Sequence, residues 1–245
     1  MKPSRTRPSG GLAGVQGFGE LSSRITSCEK CPRLREYARF VANHRPARFA
    51  NWDFWAKPVP GFGDLNARVM IIGLAPTRTG GGRTGRIFTG DATSTFLVKA
   101  LHQAGFANQP ISESRQDGLV YTDCYLTAAV KCAPPGDRPS RDEVINCSPY
   151  LDEEMGLLRN LSTVLALGSL AFHAYLDHLG RSGVDVRGRR FSHGAVHRFE
   201  GHPTLYASYH PSPRNTNTGV LTTRMLSDVL ERVKSDIGGL PPKHN

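Results

Sequence analysis

Four short, β-branched runs separated by segments of helical period constrain this chain more than any other feature. "RVMIIGLAP" (68–76) ends in Gly and Pro and suits a buried strand, as do "VYTDCYLTAAV" (120–130), "TVLALG" (163–168) and "TLYASYH" (204–210). Between them the period changes. An amphipathic helix is expected from near Leu21 toward Val41, interrupted by "CEKCP". Another opens at Asp91 and places Phe96, Leu97, Ala100, Leu101 and Ala104 at helical spacing before Gly105, a natural C-cap. A third spans 140–161, with Ser140 as N-cap and Glu143 three residues on, and Pro149 is expected to interrupt it. A fourth follows "TVLALG" through His173, and the last (220–233) carries Leu221, Met225, Leu226, Val229 and Val233 on one stripe. Strands alternating with helices imply parallel pairing and a three-layer α/β/α sandwich. The expected organisation is a disordered basic arm (1–19), one domain (20–236) and a flexible tail (237–245).

In such a fold the site lies at the carboxyl ends of the strands. Three polar segments rich in Gly and Pro fall there: "GLAPTRTGGGRTGRIFTGD", "KCAPPGDRPS" and "HPSPRNTNTG". The last is too polar for a core, and its two prolines point to a stiff, irregular loop. Lys and Arg number 31 against 21 Asp and Glu, a formal charge of +10, which calls for an anionic partner, of which nucleic acid is the usual one. No apolar run approaches the roughly 18 residues of a membrane span, and no apolar stretch follows the basic N-terminus. The expectation is therefore a cytoplasmic protein.

Cys28 and Cys31 form C-x2-C, and Cys132 and Cys147 stand fourteen residues apart. Without a secretion signal, metal ligation gains over disulfides. Spacing leaves an iron–sulfur cluster, a four-cysteine zinc site and free thiols all open. Cys124, inside a strand, reads as a small buried hydrophobe. The glycine-rich loop has the G-x4-G spacing of a phosphate loop at Gly80 and Gly85, but Arg86 and Ile87 stand where Lys and Ser or Thr are needed. Its glycines can instead bring backbone close to a flat base, with Phe88 as a stacking face and Asp91 capping the next helix.

Taken in order, "CEKCP", the glycine-rich loop, "TAAVKCAPPGDRP" leading to Cys147, and "HPSPRNTNTG" resemble the iron–sulfur uracil-DNA glycosylases of prokaryotes, most closely the B-type branch, family 5. The resemblance covers roughly residues 20 to 235. It implies an α/β/α sandwich around a four-stranded parallel sheet, and a structural [4Fe–4S] cluster held by Cys28, Cys31, Cys132 and Cys147. It implies Asp91 as the catalytic carboxylate and His210 as the histidine of the HPS motif. Phe88 would stack on an extruded base, in a pocket with Gly73, Ala75 and Ala128. Arg83, Arg86, Arg214, Asn215 and Asn217 would meet DNA. Two departures bear on specificity. Family 4 carries an Asn four residues before the third cysteine, where this chain has Ala128, and family 5 loops commonly read G-A-N-R where this chain has "GGGR", so Gly82 supplies no amide. The expected activity is monofunctional hydrolysis of the N-glycosidic bond of uracil, with tolerance of hypoxanthine, in damaged double- or single-stranded DNA. The expected enzyme is a nucleoid-associated monomer, and contact with a sliding clamp stays open. The alternative is a non-catalytic iron–sulfur module that binds lesions.

Overall fold

The computed structural model describes residues 10–238, with side chains from Gly14 onward. Helices α1 (Gly10–Thr26) and α2 (Pro32–Asn43) precede the sheet, and Pro32 sits at the first position of α2, where its missing N–H costs nothing. Then come β1 (Phe62–Gly63), β2 (Val69–Gly73), α3 (Gly81–Thr84), α4 (Ala92–Ala104), β3 (Cys124–Ala128) and α5 (Arg141–Leu157). The chain continues through β4 (Thr163–Leu167), α6 (Ser169–Arg181), β5 (Val196–Phe199), β6 (His202–Ser208), α7 (Pro213–Thr216) and α8 (Thr223–Asp236). Strand order is β1-β3-β2-β4-β6-β5. The inner four strands pair in parallel and correspond to the four apolar runs. The outer two pair antiparallel. These edge strands escape pattern reading for different reasons. One is two residues long, and the other, Val-His-Arg-Phe, is half solvated and carries no apolar run.

Successive residues of β2 serve opposite layers. Val69 and Ile71 pack with Leu97, Leu101, Leu226, Val229 and Val233 under α4 and α8, while Met70 and Ile72 pack with Leu151, Met155, Phe172 and Tyr175 under α5 and α6. Both faces of the parallel strands are therefore covered, which is why β2, β3 and β4 are buried at every position.

Four boundaries differ from the sequence reading. Residues 10–19, expected within the basic arm, belong to α1, where Phe18 is buried and the backbone of Gly17 lies against Leu157 of α5. Residues 1–9 and 239–245 lie outside the described region. Ile237, expected in the tail, is buried, and Arg68 Nη1 donates to its carbonyl. Pro149 does not interrupt α5. It lacks the N–H that would reach the Ile145 carbonyl, and the Ser148 hydroxyl donates to that carbonyl instead at 3.0 Å. Pro213 does not exclude helix either, because it occupies the first position of the single turn α7.

One buried ion pair ties the sheet to α5. Lys131 and Glu154 are both essentially inaccessible and meet at 2.7 Å. Thr127 donates to the same carboxylate, and Lys131 Nζ also donates to Thr127 Oγ1 and the Ala128 carbonyl. Removing one partner strands the other charge in a dry interior. Glu154→Leu is expected to cost about 3 kcal/mol or more of stability, read as a fall in the urea midpoint. A midpoint within error of wild type would show that Lys131 has found water.

Candidate active site

The loop between β2 and α4 folds back over the carboxyl end of β2. Gly73 closes that strand, paired in register with Ala128 of β3. A Cβ at Gly73 would stand 2.6 Å from Phe88 Cζ, so the ring occupies the space a side chain would need. Phe88 itself has a left-handed backbone, φ 49°, an uncommon conformation for a bulky residue. The turn is held from below. Ser112 donates to the Phe88 carbonyl at 3.0 Å, and Gly90 N–H donates to the Ser112 carbonyl at 2.8 Å. Phe88 and Ala128 share one apolar cluster. Ala75 does not join them and packs instead against the cysteine cluster.

Asp91 caps α4, where the Ser94 N–H donates to Oδ1 at 2.8 Å. Its other oxygen accepts from the Thr77 hydroxyl at 2.5 Å, and Thr77 Oγ1 accepts from Gly80 N–H at 2.9 Å. Gly80 has no choice of side chain, since a Cβ there would overlap Asp91 Oδ2 and Thr77 Oγ1. His210, just past β6, packs on Gly168, whose φ of 94° favours glycine and where a Cβ would stand 3.3 Å from the His210 Cβ. The Asn215 amide holds the His210 carbonyl at 2.8 Å. Burial pushes the imidazole down to about 4, and the charge of Asp91 acts in the opposite sense. Asp91 and His210 thus both lie at the carboxyl edge, close enough for the carboxylate charge to act on the imidazole, and His210 is neutral at physiological pH.

The arginines divide differently from the sequence reading. Arg86 is buried in an ion pair with Asp117 at 2.6 Å, and it donates to Thr89 and Ser112 beneath the Phe88 turn. Burial works against the Asp117 charge, but hydrogen bonds from Arg86 and from the N–H groups of Leu119, Glu113 and Ser114 hold that carboxyl down at about 2. Arg83 is also buried, clasped between the rings of Phe49 (4.2 Å) and Trp52 (3.9 Å), with bonds to the carbonyls of Thr79 and Gly90. Both guanidiniums are struts of the loop and do not reach the surface that a phosphate would meet. Asn215 is likewise engaged with backbone. Arg214 and Asn217 are exposed.

Sequence reading passed over two features. Thr77 is one, and its signal was a hydroxyl three residues before a glycine, the spacing of a side chain that accepts a turn N–H. The other is the segment 47–57, whose aromatics crowd a polar stretch. Its backbone donates to the loop (Trp55 N to Arg83 O, 2.8 Å; Ala56 N to Gly82 O, 3.1 Å), and Trp55 covers Gly85. Arg48 and Lys57 are exposed on its outer side.

Cys31, Cys132 and Cys147 are buried in one cluster, Cys28 lies at the edge of the next beside Tyr150, and none forms a disulfide. Among the described residues no three donors converge tightly enough for a single ion. The Lys131 N–H donates to Cys147 Sγ at 3.4 Å, and the Asn146 amide donates to Cys31 Sγ at 3.7 Å. Such donors stabilise thiolates around a metal. Burial, reinforced by Cys147, pushes the bare Cys132 thiol up to about 12, with Arg35 opposing.

An acid and a neutral histidine at the carboxyl edge of a three-layer sandwich, beside a buried aromatic, define a class: over residues 60–234 the chain matches the uracil DNA glycosylase superfamily. A protein of Pyrobaculum aerophilum named type-5 uracil-DNA glycosylase is 48% identical over 223 residues, 91% of this chain and 95% of its own length. The type-5 uracil-DNA glycosylase of Thermus thermophilus is 43% identical over 210 residues, 86% and 94% of the two chains. A type-4 uracil-DNA glycosylase from the same Pyrobaculum falls to 30% over 197 residues, 79% and 82% of the two chains. The chain belongs to the type-5 uracil-DNA glycosylases.

The state of His210 generates a prediction. With the folded imidazole near 4 against an ordinary 6.5, the unfolded chain binds more protons between those values. Stability should therefore fall as pH drops through that window. His210→Asn removes this group, so its urea midpoint should fall less than that of wild type between about pH 7 and pH 5. Equal falls would place His210 in solvent.

Proposed function

We propose that this protein is a monofunctional uracil-DNA glycosylase that extrudes the damaged nucleotide and hydrolyses its N-glycosidic bond, leaving an abasic site. The observation that carries this reading is that Asp91 and a neutral His210 lie at the same carboxyl edge as Phe88, with the carboxylate charge acting on the imidazole and each residue fixed by its own hydrogen bonds. Cleavage builds positive charge on the sugar and negative charge on the departing base. The Asp91 carboxylate stabilises the first and orients the attacking water. The His210 imidazole donates to the base carbonyl, which needs no positive charge on the ring. Extrusion costs a few kcal/mol. Contacts to phosphate offset it, from the exposed Arg214 and Asn217 on the rigid HPS loop and from Arg48 and Lys57 on the aromatic segment. Lys131 is committed to Glu154 and is not free to form a Schiff base with the sugar, in keeping with hydrolysis alone.

The base pocket also bears on substrate range. Ala128 offers no amide that would read the uracil edge, and no buried polar group there is left unpaired by a different base. Uracil is therefore joined by hypoxanthine as a slower substrate. A release assay on matched duplexes should show uracil and then hypoxanthine leaving, with no strand cleavage beyond the abasic product. Asp91→Asn keeps the cap but removes the charge, and should slow single-turnover uracil release by about 100-fold or more while leaving abasic-site binding intact. Binding without release in wild type would favour a lesion-binding module, and an unimpaired Asp91→Asn would move catalysis elsewhere.

Three buried thiols in one cluster, with Cys28 against the neighbouring one, would suit a [4Fe–4S] cluster held by Cys28, Cys31, Cys132 and Cys147. A zinc site needs sulfurs about 2.3 Å from one ion, whereas a cubane takes each thiolate on a different iron and so spaces them more widely. The cluster supplies a structural cross-link between the α1–α2 junction and the segment after β3. Anaerobically purified protein should carry about four irons per chain, and Cys147→Ser should lower soluble yield. Stoichiometric zinc without iron would overturn the assignment.

A further inference from the structure

We propose that Thr77 is a positioning residue for the glycosylase reaction, its hydroxyl fixing the plane of the Asp91 carboxylate before substrate arrives. This rests on the catalytic assignment of Asp91. Capping of α4 needs only one oxygen of Asp91, and the Ser94 N–H already takes Oδ1. The bond from Thr77 to Oδ2 is therefore surplus to the helix. It matters to the carboxylate, because the last torsion of an aspartate is broad and roughly two-fold. One donor on each oxygen, from two different segments, removes that freedom.

The Thr77 hydroxyl is itself preset. Its oxygen accepts from Gly80 N–H, which leaves its proton to point at Asp91. The chain from Gly80 N–H through Thr77 to Asp91 lies in one direction, and Gly80 cannot carry a Cβ without breaking it. Two further groups feel the charge of Asp91: the neutral His210, beyond β6, and the Arg83 guanidinium, in α3. Neither forms a hydrogen bond to the carboxylate, so its orientation falls to Ser94 and Thr77. A carboxylate already oriented toward the sugar needs no rearrangement when positive charge develops there, and this preorganisation is felt in the chemical step and not in binding.

The test is a double-mutant cycle read by single-turnover uracil release, with abasic-DNA affinity and thermal midpoint measured alongside. Thr77→Val keeps the branched shape and removes the hydroxyl. It should slow release by about 10- to 100-fold, the range of one hydrogen bond to a charged group, with product affinity unchanged. Thr77→Ser restores the hydroxyl and should recover most of the rate, which a packing role would not do. Gly80→Ala should mimic Thr77→Val by displacing the carboxylate. In the Asp91→Asn background Thr77→Val should have no further effect. The inference is overturned if Thr77→Val releases uracil at the wild-type rate, if Thr77→Ser fails to recover it, or if the loss persists undiminished when Asp91 is already Asn. An Asp91→Asn enzyme that keeps its full rate would instead overturn the catalytic assignment, and Thr77 with it. The two failures are thus separate readings of one cycle.

Discussion

The site depends on close packing of backbone where side chains are missing. Gly73 ends β2 under the Phe88 ring, Gly80 passes beside Asp91, and Gly168, just after β4, lies against His210. Each lies at or after the carboxyl end of a parallel strand, so the strands deliver the open backbone and the neighbouring residue fills the space. A methyl group at any of the three would have to displace a functional side chain or distort the turn that holds it. The loop from 74 to 91 is rigid for the same reason, and Phe88 can hold a left-handed backbone because Ser112, Thr89 and Arg86 over-determine the turn.

Charge in this protein serves two separate purposes. The net +10 suggests a surface made for phosphate. Yet the arginines nearest the acid in sequence are inside the molecule, Arg83 between two aromatic rings and Arg86 against Asp117. Their planar guanidiniums meet several fixed acceptors at once, which suits a strut better than a lysine would. Other cations keep their side chains in water, among them Arg78 on the same loop, Arg214 on the HPS loop, and Arg48 and Lys57 on the aromatic segment. Burial holds His210 neutral, while the Asp91 side chain accepts one hydrogen bond on each oxygen.

The cysteines and the buried Lys131–Glu154 pair lie on either side of the same short stretch after β3. Lys131 gives its side chain to Glu154 and its N–H to Cys147, so one residue links the sheet, α5 and the thiol cluster. Ala128, in the apolar cluster with Phe88, is braced through its carbonyl by the same lysine. The pocket wall and the thiol cluster thus share a support.

Much of the architecture was legible in the residues because it follows from local rules. Four continuous apolar runs became the four parallel strands. Ser140 and Asp91 became N-caps, and Gly105 took the left-handed C-cap. Cys31, Cys132 and Cys147 came together in one buried cluster, with Cys28 against the neighbouring one. Edge strands were not legible, since β1 is too short for a pattern and β5 is too polar. The persistence of α5 through Pro149 turned on one serine hydroxyl. Which polar groups reach the surface was decided only in three dimensions. Sequence shows that an arginine follows a glycine, but its exposure depends on which distant acid or ring packs against it, as Asp117, Phe49 and Trp52 do. Thr77 shows the same limit, because its partner Asp91 is fourteen residues away and the two meet only when the loop closes over β2.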